Sequence, residues 1–286
     1  MPTQIARVQT LTGEVRLALT RDGQAVGYLP TDLSLAAALQ LRLVQLQALV
    51  EAAEAADEPV RMLAPIDGDT EVWAAGVTYK RSEQARVEES ATPDIYTRVY
   101  SAERPELFFK ANARRVSGPD EAVVVRADST WDVPEPEVAL VINAAAEIVG
   151  YTIGNDVSSR SIEGENPLYL PQAKVYGGCC ALGPGITPVW EISDPYALGI
   201  RMRIRRGGGL HWQGETSMRE FARRLEDLVT YLFREDTFPA GAILSTGTAL
   251  VPDSPFTLEA GDVVEIDIDE LGSLRNPVVR GNATRG

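Results

Sequence analysis

Histidine is nearly absent from this chain of 286 residues, which contains only His211. A zinc site built from several histidines is therefore excluded, and a Ser-His-Asp triad could use only this one residue. His211 lies in a glycine-rich stretch, residues 207–212, that is typical of a strand and turn. It is also far in the sequence from the acidic segment described below, so we expect a structural or surface role for it.

Cysteine is also scarce, because the chain has two, the neighbours Cys179 and Cys180. Adjacent residues are poorly placed for a disulfide, so both are expected to be small buried apolar residues. No apolar run reaches the length of a membrane span, and residues 1–7 lack a signal-peptide pattern. These features predict a cytoplasmic protein without disulfides and without a membrane partner.

Basic residues are outnumbered, with 27 Lys and Arg against 41 Asp and Glu, giving a net charge of −14. Binding to nucleic acid independently of its sequence requires a basic surface, so no nucleic-acid partner is expected. An anionic small-molecule substrate is compatible with this charge. A bound cation and a few Lys or Arg residues can make a pocket positive inside an acidic protein.

The segment from Pro134 to Glu137 carries two acids separated by proline. Each proline fixes φ near its extended value and biases the preceding residue toward extended geometry. Residues two apart then point to the same side, so Glu135 and Glu137 present two carboxylates to one face. Such a pair repels unless a cation lies between the groups, and Mg²⁺ bound through oxygen would serve. The alternative is an exposed acidic edge strand, where proline is common.

Two apolar strands joined by a turn follow the acidic segment. If Ile142 lies opposite Ile148, Glu135 falls opposite Asn155, and a register shifted by one residue brings it opposite Asp156. The sequence does not fix the register. In either register Asp156 reaches the end of the hairpin that carries Glu135. Three carboxylates, completed by water and substrate, suit Mg²⁺ or Mn²⁺.

Several ordered motifs between about residues 70 and 280 resemble the fumarylacetoacetate hydrolase family. They are Glu135-Pro-Glu137, the segment from Gly150 to Arg160, Lys174, Leu182-Gly-Pro184 and Ser245-Thr-Gly-Thr248. Within the family, residues 164–174 are most similar to the 2-keto-3-deoxy-sugar-acid dehydratases. The resemblance implies the family's mixed β-sandwich roll and a homodimer or homotetramer.

The resemblance also implies roles for particular residues. It implies a Mg²⁺ site at Glu135, Glu137 and Asp156, in which Mn²⁺ or Ca²⁺ could substitute. It places Lys174 beside the substrate as a catalytic residue that orients the keto acid or moves a proton, with a structural ion pair as the alternative. Thr248 is implied to bind the substrate carboxylate.

A strand predicted at residues 105–110 supplies two further candidates, Glu106 and Lys110. Their even spacing favours the same face of the strand, and the family resemblance places this strand beside the pocket. Glu106 is a candidate catalytic acid or base, and Lys110 is a candidate substrate-binding residue. The alternative is a surface ion pair, which would contribute little to stability.

Hydrolases of the family carry a His and a Glu three residues apart, in the helix predicted after Thr78, as the base that activates water. By position these fall at Ser82 and Ala85. Neither side chain can act as a general base near neutral pH, which argues against hydrolysis. Ser82 remains a candidate substrate-binding residue.

From the residues alone we predict an α+β fold, mainly β, with a mixed and largely antiparallel sheet system. A small N-terminal domain is predicted at residues 1–65, with short strands followed by one long helix at 33–56. A catalytic domain is predicted at residues 66–286. Within it we expect an ordered loop at 161–173 and a helix from about 217 to 235.

The sequence and the resemblance together predict a Mg²⁺-dependent dehydratase, a carbon–oxygen lyase of pentose and sugar-acid degradation. Its substrate would be a 2-keto-3-deoxy sugar acid such as 2-keto-3-deoxy-D-arabinonate, and its product 2-oxoglutarate semialdehyde. Acylpyruvate hydrolysis and oxaloacetate decarboxylation are alternatives, because the same kind of site serves them. A metal- and keto-acid-binding protein without turnover is an alternative of a different class.

Overall fold

The computed structural model describes residues 2–82 and 93–281. Strands dominate these residues, as predicted for an α+β protein that is mainly β. The large sheet is built from the strands β1 (Gln4–Gln9), β2 (Val15–Arg21), β3 (Gln24–Tyr28), β4 (Glu54–Pro59), β5 (Arg61–Met62), β6 (Glu71–Gly76), β7 (Glu106–Asn112), β8 (Val116–Ser117), β11 (Pro136–Ile142), β12 (Ile148–Asp156), β14 (Cys180–Pro188) and β17 (Ala242–Ser245).

Two smaller sheets complete the strand system. One is built from β9 (Val123–Val125), β15 (Gly199–Arg206), β16 (Gly209–Ser217), β18 (Val263–Ile268) and β19 (Gly272–Arg280), and the other from β10 (Asp132–Val133) and β13 (Ser158–Ser159). The large sheet has the order β4-β3-β2-β1-β14-β12-β11-β17-β6-β7, with β5 beside β1 and β8 beside β14. The second sheet has the order β16-β15-β18-β19-β9.

The helices are short. They are α1 (Leu35–Ala38), α2 (Leu43–Glu51), α3 (Pro93–Ser101), α4 (Arg160–Glu165), α5 (Leu170–Lys174) and α6 (Leu225–Leu232), with 3₁₀ turns at Ala113–Arg115, Pro167–Tyr169, Val189–Glu191, Pro195–Ala197 and Met218–Glu220. No helix among the described residues is long and apolar enough to cross a membrane.

Strand β11 lies between two hydrophobic cores, which explains why its sequence is apolar on both faces. Val138, Leu140 and Ile142 pack in the core that contains the inward side chains of β15 and β18. Ala139 and Val141 point to the opposite face, into the core shared with β1, β2 and helices α1 and α2. Because successive side chains of a strand alternate between faces, one fully buried strand joins both cores of the sandwich.

The N-terminal segment forms three of the predicted strands but not the predicted helix at residues 33–56. Helix α1 ends at Ala38, and α2 begins after Arg42, whose N–H is capped by Gln45 Oε1 at 2.9 Å. Residues 54–59 form β4, which pairs with β3. This tertiary pairing overrides the helical pattern of the sequence. In the large sheet, β1 of the N-terminal segment lies directly beside β14. The domain boundary at residue 65 stays a prediction.

Two predictions in the second half of the chain were also wrong. The loop expected at 161–173 contains helices α4 and α5, and the helix expected from 217 forms only as α6, beginning at Leu225. Ser217 instead ends β16, which pairs with β15, and Met218–Glu220 form a 3₁₀ turn. His211 is exposed on β16, as expected. Cys179 and Cys180 are buried and free, also as expected.

Candidate metal centre and active site

The hairpin of β11 and β12 brings Glu135 and Asp156 together. Ile142 lies opposite Ile148, but an irregularity in the pairing between Val141 and Ile142 shifts the register along the rest of the hairpin. The Asp156 backbone N–H consequently donates to the carbonyl oxygen of Glu135 at 3.0 Å. Of the two registers left open by the sequence, the shifted one occurs, because a bulge inserts one extra residue.

Glu135, Glu137 and Asp156 form a group in which one ligand oxygen from each residue lies within 4.8 Å of the others. We call this group the carboxylate triad. Its members are 3%, 1% and 2% exposed, respectively. The alternative of an exposed acidic edge strand is therefore wrong, because β11 is paired on both sides within the large sheet.

Glu137 occupies the least favourable electrostatic position of the triad. Its Oε2 accepts a hydrogen bond from the Gly247 backbone N–H at 2.8 Å. Burial, together with the negative charges of Asp156 and Glu135, raises the pKa of Glu137 well above its usual value. The charge of Lys174 offsets this rise only in part, and three carboxylates with oxygen ligands suit a hard divalent ion such as Mg²⁺.

Gly247 can approach Glu137 because it has no side chain. Its φ is +90°, a conformation that side chains rarely adopt, and a Cβ atom there would lie 2.2 Å from Thr78 Oγ1 and 2.8 Å from the Ala75 carbonyl oxygen. The Gly turn after β17 therefore presents a backbone N–H to the carboxylate triad.

Lys174, the last residue of α5, lies inside the acidic group. Its ammonium donates to Glu135 Oε2 and Asp156 Oδ2, both at 3.0 Å, and to Ser158 Oγ at 2.6 Å. The side chain is 4% exposed. Three oxygen acceptors, two of them carboxylates, favour the charged ammonium. Lys174 thus supplies one positive charge to the triad and lines the adjoining cavity.

Lys110 lies deeper than predicted for a substrate-binding residue. It is fully buried, pairs with Asp156 Oδ1, and donates to the carbonyl oxygens of Val157 at 3.1 Å and Lys174 at 2.6 Å. Burial alone would lower the pKa of Lys110, but the charge of Asp156 raises it above its usual value. Lys110 is not among the residues that line the cavity. This geometry favours support of Asp156, and contact with a substrate stays a prediction.

Arg160 is a charged neighbour of the triad to which the sequence analysis gave no role. It begins α4, and its Nη2 and Nε lie 3.1 Å and 3.3 Å from Glu135 Oε1. Its Nε also lies 3.9 Å from Oε2 of Glu163, three residues further along the helix. In the sequence, only the spacing of Arg160 and Glu163, three residues apart on a helix, indicates that these two side chains meet. Both side chains are buried.

The triad forms the floor of a cavity of about 560 Å³, counted with its open mouth. Glu106, Ser82 and Thr248 line this cavity together with Phe108, Arg160, Glu163 and Leu170. Glu106 lies against Gly76, where a Cβ atom would be 2.1 Å from Glu106 Oε2. The cavity thus collects most of the predicted catalytic and substrate-binding residues.

The hydroxyl groups of the two remaining candidates also bond to nearby backbone. Ser82 Oγ donates to the Tyr79 carbonyl at 2.7 Å and accepts from the Tyr79 N–H at 3.1 Å. Thr248 Oγ1 accepts from the Leu250 N–H at 3.1 Å. Ala85, the second position compared with the hydrolases, lies outside the described residues. The roles of Ser82 and Thr248 as substrate contacts stay predictions.

A family model described as fumarylacetoacetate (FAA) hydrolase C-terminal matches residues 71–279. The chain belongs to the fumarylacetoacetate hydrolase family. The predicted β-sandwich roll of this family is confirmed by the fold and by the structural matches.

Two similar proteins carry the names of sugar-acid dehydratases. A Haloferax volcanii protein named probable 2-keto-3-deoxyxylonate dehydratase is 53% identical over 214 residues, which are 75% of this chain and 73% of that protein. The 2-dehydro-3-deoxy-D-arabinonate dehydratase of Saccharolobus solfataricus is 45% identical over 223 residues, 77% of this chain and 74% of that protein.

A similar solved structure is 2-keto-3-deoxy-D-arabinonate dehydratase complexed with magnesium and 2,5-dioxopentanoate. It matches this chain with a TM-score of 0.83 at 36% identity, covering 97% of this chain and 99% of that one.

Proposed function

We propose that this protein is a Mg²⁺-dependent dehydratase of a 2-keto-3-deoxy sugar acid, such as 2-keto-3-deoxy-D-arabinonate, which it converts to 2,5-dioxopentanoate (2-oxoglutarate semialdehyde). One observation carries the proposal: three buried carboxylates and Lys174 meet at the floor of a cavity that also contains Glu106. The similarity to named sugar-acid dehydratases supports this choice of substrate.

Glu135, Glu137 and Asp156 would hold the metal. When bound there, Mg²⁺ polarises the carbonyl of an α-keto acid and makes the neighbouring C–H more acidic. Because Lys174 donates to Glu135 and Asp156, it fixes the orientation of these two carboxylates. Lys110 supports Asp156 from the buried side, so two of the three carboxylates are held in place by ammonium groups.

We propose Glu106 as the residue that moves the proton of carbon 3. Dehydration removes that proton from carbon 3 and the hydroxyl from carbon 4, and the two leave together as water. Tautomerisation of the resulting alkene then moves hydrogen from carbon 5 and its hydroxyl to carbons 3 and 4, which leaves the aldehyde at carbon 5. The three donors of Lys174 are already bonded to oxygen atoms, which makes it a weaker candidate for the base than Glu106. We assign Lys174 the binding of negative charge on the keto acid, at the surface that it presents to the cavity.

The nature of the Ser82 side chain favours dehydration over hydrolysis. Ser82 lines the cavity at a position compared with the hydrolase base, but its hydroxyl is bonded to the backbone of Tyr79 and cannot act as a general base near neutral pH. Oxaloacetate decarboxylation requires no such base. The residues of the site therefore fit decarboxylation as well as dehydration, and a substrate panel separates the two activities.

The test is a substrate panel followed by ¹H NMR in the presence of Mg²⁺. We expect 2-keto-3-deoxy-D-arabinonate or its C4 epimer to lose water and give an aldehyde proton signal. Acylpyruvate and oxaloacetate should turn over at least about 100-fold more slowly, since a site built around substrate hydroxyls discriminates strongly against analogues without them. Faster cleavage of either compound would identify one of the alternative enzymes, and binding without turnover of any compound would identify a binding protein.

Three further features belong to the same proposal. We expect Mn²⁺ or Ca²⁺ to replace Mg²⁺ in metal titrations, because the ligands are all carboxylate oxygens. A homodimer or homotetramer is expected from the family resemblance and is tested by light scattering coupled to gel filtration. A cytoplasmic location, which suits the free cysteines Cys179 and Cys180, is tested by fractionation of the source cells.

A further inference from the structure

Two buried charged side chains line the cavity without a part in the chemistry proposed above, Arg160 and Glu163. Both come from helix α4, and they are 4% exposed each. Arg160 Nε lies 3.9 Å from Glu163 Oε2, while the same guanidinium contacts Glu135 at 3.1 Å. Glu163 is therefore held close to the metal centre by a residue that also contacts a metal ligand.

The chemistry of Glu163 limits what it can bind. A carboxylate beside a guanidinium carries a negative charge and only accepts hydrogen bonds. It repels the carboxylate of a keto acid, so it cannot receive that end of the substrate. In a 2-keto-3-deoxy pentonate the remaining hydrogen-bond donors are the hydroxyls on carbons 4 and 5. The hydroxyl on carbon 4 leaves and requires a proton donor, whereas the oxygen on carbon 5 stays and becomes the aldehyde oxygen of the product.

We propose that Glu163, positioned by Arg160, accepts a hydrogen bond from the terminal hydroxyl of the substrate and selects hydroxylated keto acids. This inference rests on the proposed function and adds a specificity-determining residue to that site. Leu170 and Phe108 line the same cavity, so a short carbon chain has apolar surface to follow between the keto acid and the hydroxyl. The side chain of Glu163 is 4% exposed, which limits competition from water for this hydrogen bond.

The test compares two ligands that cannot lose water across carbons 3 and 4, 5-hydroxy-2-oxopentanoate and 2-oxopentanoate. They differ only in the terminal hydroxyl. Dissociation constants are measured by calorimetry on the Mg²⁺-loaded protein. We expect the wild type to bind the hydroxylated ligand about tenfold to a hundredfold more tightly, as for a hydrogen bond to a charged group.

Substitution of Glu163 should remove this preference in a graded way. Glu163→Gln keeps a neutral acceptor, so the preference should fall to a few-fold, and Glu163→Ala should bring the two dissociation constants to within about twofold of each other. Binding of 2-oxopentanoate and of Mg²⁺ should change little in either variant. A preference that is unchanged in Glu163→Gln overturns the inference, as does an equal weakening of both ligands, which indicates a purely structural role.

Glu165→Gln is the matched control, because Glu165 is exposed on the same helix and does not line the cavity. It should keep the wild-type ratio. Turnover of 2-keto-3-deoxy-D-arabinonate by the wild type separates the two proposals. Turnover combined with a preference insensitive to Glu163 contradicts the inference alone, while a Glu163-dependent preference without turnover contradicts the proposed function alone.

Discussion

The Asp156 N–H donates to the Glu135 carbonyl oxygen at 3.0 Å across the β11–β12 hairpin, so these two carboxylates leave the sheet from directly opposite positions. Their pairing depends on the irregularity near the hairpin turn, between Val141 and Ile142. A regular hairpin with the same Ile142–Ile148 contact would place Asn155 opposite Glu135. One extra residue in a strand thus determines which side chain joins the carboxylate triad.

Replacing Glu137 by Gln should stabilise the metal-free protein. The pKa of Glu137 in the folded state lies above its ordinary value of 4.5, chiefly because of burial. The folded state therefore holds this proton more tightly than the unfolded state, and stability is lost as pH rises from about 4.5 through the folded-state pKa. In EDTA at neutral pH, Glu137→Gln should raise the melting temperature by at least about 2 °C and flatten its pH dependence.

Addition of Mg²⁺ should reverse the order of these two proteins, because only the wild type keeps all three ligands and gains the full stabilisation by binding. Glu165→Gln, at an exposed position, serves as the control and should behave like the wild type in both buffers. A Glu137→Gln variant that melts below the wild type in EDTA would show that Glu137 does not carry the electrostatic cost assigned to it.

Replacing Lys110 by Met should destabilise the protein by about 3–5 kcal/mol, since the buried Asp156 carboxylate loses the cation at its Oδ1 and keeps only Lys174 at its Oδ2. Urea denaturation measures this difference. Arg201→Met is the control, because Arg201 and Asp269 form an ion pair in which both side chains are about half exposed, 46% and 47%. Its loss should cost less than about 1 kcal/mol. Similar costs for the two variants would contradict a supporting role for Lys110.

Replacing Gly76 by Ala should lower turnover without weakening Mg²⁺ binding. The added Cβ would lie 2.1 Å from Glu106 Oε2 and would force that carboxyl to move. A displacement of about 1 Å in a catalytic group costs up to about 100-fold in rate. Steady-state kinetics should show a reduced kcat, while Mg²⁺ calorimetry should match the wild type.

Gly177→Ala is the control for this substitution, because a Cβ atom at that glycine would have no neighbour within 4 Å. It should leave kcat unchanged. If Gly76→Ala also keeps the wild-type kcat, Glu106 does not move the proton of carbon 3.

The fold could be predicted from the sequence wherever local pattern and tertiary pairing agree. The two apolar strands expected after the acidic segment form as β11 and β12, because their side chains fill the two cores on either side of the sheet. The pattern failed at residues 54–56, the end of the predicted helix, which instead begin β4 beside β3. Pairing of this kind depends on a partner strand about thirty residues earlier in the chain, and the local sequence carries no signal of it.

The meeting of Glu135 and Glu137 could be predicted because proline spacing places both on one side of an extended segment, a local property. The surroundings of the triad depend on the tertiary fold. Lys110 has the spacing expected of a cavity residue, yet its ammonium is bonded beneath Asp156. The Ser158 hydroxyl accepts a hydrogen bond from Lys174, and the Gly247 backbone N–H donates to Glu137. Such contacts leave no pattern in the sequence.

Metal dependence of water loss tests the central claim most directly. The protein is freed of metal with EDTA, dialysed, and assayed by ¹H NMR on 2-keto-3-deoxy-D-arabinonate as Mg²⁺ is added back, alongside Glu135→Gln. We predict no aldehyde product without metal, recovery that saturates with one Mg²⁺ per chain, and loss of both Mg²⁺ binding and turnover in Glu135→Gln. Undiminished turnover in EDTA, or full turnover by Glu135→Gln, would contradict a metal held by Glu135, Glu137 and Asp156.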